Sequence, residues 1–275
     1  MGPDLSDLYD AEEPAVAFNV TTGRYLVAWS GDDNTGLLVD GEMEIFGQLL
    51  DATGTQVGTN DFRISDMGTD GDASIDAFTP SVASNTTNSE FLVAWSGEDV
   101  SGGLVSGEFE IFSQRINAST GAELGTNDAR ISDMGPNGDL NFDAENPDAV
   151  WNSTDNQYLI VWAGDDVTDG ESEIYGQRLS NVAAEIGVND FRISDVGADG
   201  DPLSDAQHPA VSYTSSGNTY MVVWDADDLT GTTVDGEEEI YSQTIAGTTG
   251  VETGVNDQRV SFMGVDGDPT FDGRR

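Results

Sequence analysis

A five-residue apolar run ending in tryptophan occurs four times at nearly constant spacing, and this repetition constrains the fold more than any other feature. It reads Tyr25-Leu26-Val27-Ala28-Trp29, Phe91-Leu92-Val93-Ala94-Trp95, Tyr158-Leu159-Ile160-Val161-Trp162 and Tyr220-Met221-Val222-Val223-Trp224. The tryptophans lie 66, 67 and 62 residues apart. An arginine further along each copy, at Arg63, Arg130, Arg192 and Arg259, keeps the same period with spacings of 67, 62 and 67.

Within the first copy the pattern predicts four strands, over 15–19, 24–30, 42–50 and 61–65. They are short and rich in β-branched and aromatic residues. Thr21-Thr22-Gly23 and Ala52-Thr53-Gly54 supply turn chemistry between them. The tryptophan runs are apolar at consecutive positions, which suits a strand covered on both faces by neighbouring sheets. No window has useful helical periodicity. Four antiparallel strands per repeat are what one propeller blade looks like in sequence. Tandem immunoglobulin-type sandwiches need units of about 100 residues, too long for this period.

The expectation is therefore an all-β chain, a β-propeller of four-stranded antiparallel blades forming one domain over 1–275. The blades run from about 12–76, 77–143, 144–205 and 206–272. The chain begins and ends inside the connector that separates repeats, with no partial strand to complete the first blade. That predicts either a simple four-blade closure or excision from a longer array.

Charge narrows the partners. The chain has 52 acidic and 9 basic residues, a formal net charge of -43, and every basic residue is arginine. Nucleic acid and anionic membrane surfaces are excluded as partners on this ground. Such self-repulsion calls for bound cations, high salt, or both. Disorder, the other consequence of high charge, conflicts with the ordered strand pattern. With no cysteine there is neither a disulfide framework nor a thiolate site. No apolar run is long enough to span a bilayer, and no secretory leader stands at the start of the sequence.

Two acidic constellations recur. The first lies in the connector: Asp66, Asp70, Asp72 and Asp76, then Asp133, Asn137, Asp139 and Asp143, then Asp195, Asp199, Asp201 and Asp205, and finally Asp266, Asp268 and Asp272. Carboxylates spaced by two, broken by glycine and closed by an acid four residues on, can wrap oxygens around one hard cation. The second joins the ends of strands two and three: Asp33 with Glu42 and Glu44, Asp99 with Glu108 and Glu110, Asp166 with Glu171 and Glu173, and Asp228 with Glu237 and Glu239. Residues i and i+2 of a strand share a face, so each glutamate pair points one way. Crowding of this kind is costly without a cation, and calcium is the expected one. The recurrent arginines offer a competing partner for the same acids.

The connector chemistry resembles the aspartate-rich calcium loops of integrin-type and dockerin-like repeats, although the Asp-Gly-Asp-x-x-x-Asp order departs from theirs. The overall layout resembles the repeat propellers of large secreted or surface-attached prokaryotic proteins. The likeness rests on the tryptophan runs, on Glu44-Ile45-Phe46-Gly47-Gln48 and its counterparts, and on Asn60-Asp61-Phe62-Arg63-Ile64-Ser65 and its counterparts. It implies an extracellular or cell-surface protein with a scaffold or adhesion role and names no ligand. Calcium ions, and glycans or neighbouring copies of the chain, are the expected partners.

Catalysis finds little support at this level. His208 is the only histidine and sits before Pro209, where the other copies have Glu13, Thr79 and Asn146, so it reads as an ordinary connector residue. The conspicuous acids are repeated in every blade, whereas a glycosidase needs an acid pair unique to one. The tryptophans read as core, and Trp151, present in one copy alone, as a surface contact. The Asn-x-Ser/Thr sequons at Asn19, Asn85, Asn117 and Asn152 read as incidental. The expectation is a non-enzymatic, calcium-stabilised structural or adhesion module. The alternatives are a carbohydrate-binding propeller, a subunit of a calcium-dependent surface fibre or array, and, last, a glycosidase.

Overall fold

The computed structural model describes residues 9–34, 36–165, 170–201, 203–227, 234 and 236–268. These form sixteen strands in four antiparallel sheets. The first sheet is β1 (Ala11–Asn19), β2 (Arg24–Gly31), β3 (Glu44–Asp51) and β4 (Gln56–Arg63). The second is β5 (Ala77–Asn85), β6 (Glu90–Glu98), β7 (Phe109–Asn117) and β8 (Glu123–Arg130). The third is β9 (Ala144–Asn152), β10 (Gln157–Gly164), β11 (Glu173–Leu179) and β12 (Glu185–Arg192). The fourth is β13 (Ala206–Thr214), β14 (Thr219–Ala226), β15 (Glu239–Ala246) and β16 (Glu252–Arg259). Each sheet is a meander in chain order, so the all-β architecture of four-stranded blades expected from the repeat is what forms.

The boundaries differ in an informative way. The first strand begins at Ala11 rather than at residue 15, because a bulge at Glu13-Pro14 absorbs the proline, which cannot donate to the ladder, and pairing resumes upstream. The fourth strand begins at Gln56, before the Asn-Asp segment read as its start. The first turn is held by the Asn19 Oδ1, which accepts from the backbone N–H of Thr21 and Thr22, and is closed by Gly23 at a φ of 66°.

The apolar runs bury both faces, and three separate cores result. One lies between the first and second sheets, joining Leu26, Ile64 and Met67 to Phe91, Val93 and Trp95. The next joins Leu92, Ile131 and Met134 to Tyr158, Ile160 and Trp162. The third joins Leu159, Ile193 and Val196 to Tyr220, Val222 and Trp224. The second and third sheets thus each present a leading face to the sheet before and a trailing face to the sheet after. Burying one such large side chain contributes about 1.5–3 kcal/mol.

Polar stitches run alongside. The Asn19 amide donates to the Asn85 carbonyl at 3.0 Å, that of Asn85 to the Asn156 Oδ1 at 3.0 Å, and that of Asn152 to the Asn218 Oδ1 at 2.9 Å. These three asparagines are fully buried, so the sequons at 19, 85 and 152 serve packing. Among the described residues no fourth core joins the last sheet to the first.

Candidate active site

The first strand of every sheet lies innermost: β1 packs beside β5, β5 beside β9, and β9 beside β13. At the same point in all four, a residue followed by proline drops out of the ladder. These residues are Glu13, Thr79, Asn146 and His208, with φ of 53°, 51°, 54° and 49°. The left-handed conformation costs free energy, most for β-branched Thr79, and bulges of this kind re-aim side chains. Here they aim them at one axial cavity of about 830 Å³, lined by all four X-Pro pairs.

The scaffold of the cavity repeats four times, but its chemistry does not. The bulge position carries an acid, a hydroxyl, an amide and an imidazole in turn. Two residues on, Ala15, Ser81, Asp148 and Ala210 place one further acid in the third sheet. After Trp224 comes Asp225, where the other copies have Ser30, Ser96 and Ala163. Glu13, Asp148 and Asp225 therefore each occur once, and all three line the cavity.

Their partners set their roles. Asp225 is buried and faces the His208 Nδ1 at 3.1 and 3.2 Å through its two oxygens. The Glu13 Oε2 accepts from the Thr79 N–H at 2.7 Å and the Ser30 hydroxyl at 3.4 Å, which leaves this solvent-exposed carboxylate oriented but accessible. Asp148 bridges three sheets, accepting from the Ser81 hydroxyl, the Ala149 N–H and the Val211 N–H at 2.8, 2.9 and 2.8 Å. Burial pushes its carboxyl above the usual range against those hydrogen bonds. Trp224, also in the lining, keeps its buried indole Nε1 without a hydrogen-bond partner, as does the Thr79 Oγ1.

The described acids singled out from sequence lie elsewhere, in the connectors and at the starts of the third strands, and find partners within the chain. The recurrent arginine gathers three of them. Arg63 contacts Glu44 at 2.8 Å, Asp70 at 2.7 Å, and Asp66. Arg130 holds Glu110, Asp133 and Asn137, and Arg192 holds Glu173, Asp195 and Asp199. Arg259 holds Glu239 and Asp266, with Glu237 at 3.8 Å. A guanidinium thus supplies positive charge at each junction.

Backbone amides supply the rest. Glu42 accepts from the Val39 and Gly71 N–H, Glu108 from those of Val105 and Gly138, Glu171 from that of Gly200, and Glu237 from that of Gly267. Asp76, Asp143 and Asp205 accept from Met43, Phe109 and Ser172. Asp72, Asp139 and Asp201 cap local turns, as does Asp99, while Asp33 is buried and accepts from the Asn34 N–H. Asp268 closes the last turn through its backbone N–H on Val265. Asp166, Asp228 and Asp272 lie outside the described residues. Among the described residues no three Asp, Glu or His side chains form a group that could hold a metal ion.

Burial dominates the ionisation of the buried glutamates. Glu44 is pushed up to about 8, and Glu110 and Glu173 to about 7, with their arginine, serine and amide partners pulling the other way. Glu239 occupies the same place in the fourth sheet, against which no other described sheet packs on that side. There the bonds from Ser261, Arg259 and the Met263 N–H outweigh a shallower burial, and its carboxyl falls below the usual value.

Two readings from sequence are corrected. His208 is not an ordinary connector residue but part of the axial lining. Trp151 is half-buried against the second core and donates its Nε1 to the Asn156 Oδ1, so it is not a free surface contact. The signal that marks the cavity was present: the residue before each of four equivalent prolines changes in every copy, while the proline and the alanine three positions before it repeat.

No protein-family profile matches the sequence, and a search of curated proteins returns no match. Solved structures do share the fold. A Hadza microbial sialidase, Hz136, superposes with a TM-score of 0.59 at 11% identity, over 94% of this chain and 48% of its own. A thermostable family-43 glycoside hydrolase superposes with a TM-score of 0.51 at 16% identity, over 98% of this chain and 77% of its own. The chain spans about half the length of that sialidase. The expectation of a non-enzymatic structural or adhesion module is corrected by these findings. Both of these structures with the same fold are carbohydrate-cleaving enzymes by name, and single-copy acids, whose absence had argued against catalysis, line the axis.

Proposed function

We propose that the chain is a carbohydrate-active protein of the glycoside hydrolase kind, acting on a neutral sugar held in the axial cavity. One observation carries the reading: four equivalent bulged positions on a repeated scaffold present four different side chains to one cavity. A purely structural axis has no need to break its own symmetry. A ligand bound on that axis meets a different group on each side.

Glycoside hydrolysis needs two carboxyl groups flanking the bond, one to protonate the leaving oxygen and one to activate water or attack carbon. Glu13 and Asp225 are assigned to this pair, coming from the first and fourth sheets onto the same cavity. His208 orients Asp225 through its Nδ1. Asp148 is a positioning residue, since its oxygens are taken up by donors from three sheets. The described lining holds three carboxylates, one imidazole and no arginine, so uronate or sialate groups are repelled and neutral sugars are favoured.

The test is hydrolysis of a panel of neutral and acidic polysaccharides and aryl glycosides. Activity is expected on a neutral member, falling roughly 10²-fold or more in Glu13→Gln and in Asp225→Asn. Activity that both variants retain, or a wild-type chain that neither cleaves nor saturably binds any neutral glycan, would refute the proposal.

A further inference from the structure

Among the described residues the four sheets leave two apolar faces uncovered, one on the first sheet and one on the fourth. In the second, third and fourth sheets the leading face is sealed by the sheet before it, and Trp95, Trp162 and Trp224 are fully buried. In the first sheet the same face is open. Val16 is 62% exposed, Phe18 is exposed, and Tyr25, Val27 and Trp29 are half-buried. The trailing face shows the converse. Ile64, Ile131 and Ile193 are at most 3% exposed under the next sheet, whereas their counterpart Val260 is 55% exposed, and Met221 and Met263 stand open beside it.

Each open face is the repeat equivalent of one half of an interface that forms three times inside the molecule. The complement of the first sheet's leading face is a trailing face, and the fourth sheet carries the uncovered one. We propose that the trailing face of the fourth sheet docks on the leading face of the first sheet in a second copy of the chain. Val260 and Met263 then take the places that Ile64 and Met67 hold beneath Phe91, Val93 and Trp95, here beneath Tyr25, Val27 and Trp29. The contact is head-to-tail, since it joins two different patches. It is independent of the sugar site. Each copy carries a charge of -43, so repulsion opposes docking at low ionic strength and salt strengthens it.

Val16→Asp and Val260→Asp test the proposal, because both valines are exposed and either charge leaves the sheet interior intact. Circular dichroism and melting establish that both variants fold. By sedimentation velocity in high sodium chloride, the wild-type chain is expected to gain mass with concentration, and each variant alone to stay monomeric. An equimolar mixture of the two is expected to form a dimer and nothing larger, since one intact pair of faces remains. A wild-type chain monomeric at every concentration and salt, either variant self-associating alone, or a mixture that stays monomeric would overturn it.

Discussion

Replacing Glu110 by glutamine should make the chain relatively more stable as the pH rises. Glu110 is fully buried between the second and third sheets, and burial raises its carboxyl from the ordinary 4.5 to about 7. Because the folded-state value is the higher one, the folded chain binds a proton that the unfolded chain releases between pH 4.5 and 7. The stability linked to that proton is fully present below pH 4.5 and is lost as the pH climbs toward 7. At about 1.4 kcal/mol per pH unit, the loss across this window is on the order of 3 kcal/mol.

Glutamine keeps the shape of the neutral acid and does not titrate. The stability difference between Glu110→Gln and the parent should therefore move by about 3 kcal/mol in favour of the variant from pH 4.5 to 8. Urea unfolding of both proteins at several pH values and constant ionic strength measures this directly. Glu239→Gln is the internal control, because the Glu239 carboxyl is lowered and its stabilisation is lost as the pH falls through that depressed value. Its difference should move against the variant as the pH rises toward 4.5 and stay nearly flat above that, where the Glu110 difference moves. A flat Glu110 profile, or one with the Glu239 sign, would mean that the Arg130 ion pair rather than burial governs this site.

Other outcomes follow from the packing. Trp95→Ala should cost about 3–5 kcal/mol by urea denaturation, and Trp29→Ala clearly less, because only Trp95 is sealed between two sheets. Asn152→Ala removes the acceptor for the Thr154 and Asp155 N–H and the amide bond to Asn218, so a loss of about 2–3 kcal/mol is expected in the same assay. Calcium at the connectors stands as a proposal. It predicts a higher melting temperature in calcium than in matched sodium chloride, and equal melting in chelator and calcium would leave arginine and backbone amides as the neutralising groups.

The four sheets were legible because each rests on local pattern. Apolar runs such as Phe91 to Trp95, bounded by turn residues and repeated at one period, allow few alternatives to stacked four-stranded blades. The acids of the loops were equally visible, but their partners were not. Spacing shows that Glu42 and Glu44 share a strand face, yet Glu44 ends on Arg63 and Glu42 on the Gly71 amide. Those donors lie about 20 to 30 residues away, and only loop closure brings them there.

The axial cavity was the least legible part. Repeat comparison weighs what recurs, whereas Glu13, Asp148, His208 and Asp225 stand out by not recurring, and they come from three different sheets. Local sequence therefore settles which residues pair into strands and which faces are apolar, because those depend on neighbours one or two positions away. The meeting of distant carboxylates on one axis, and the choice of which apolar faces stay uncovered, follow from how whole sheets stack. That stacking is a long-range property carried by side chains that come from different repeats, such as Leu26 and Met67 against Phe91 and Trp95.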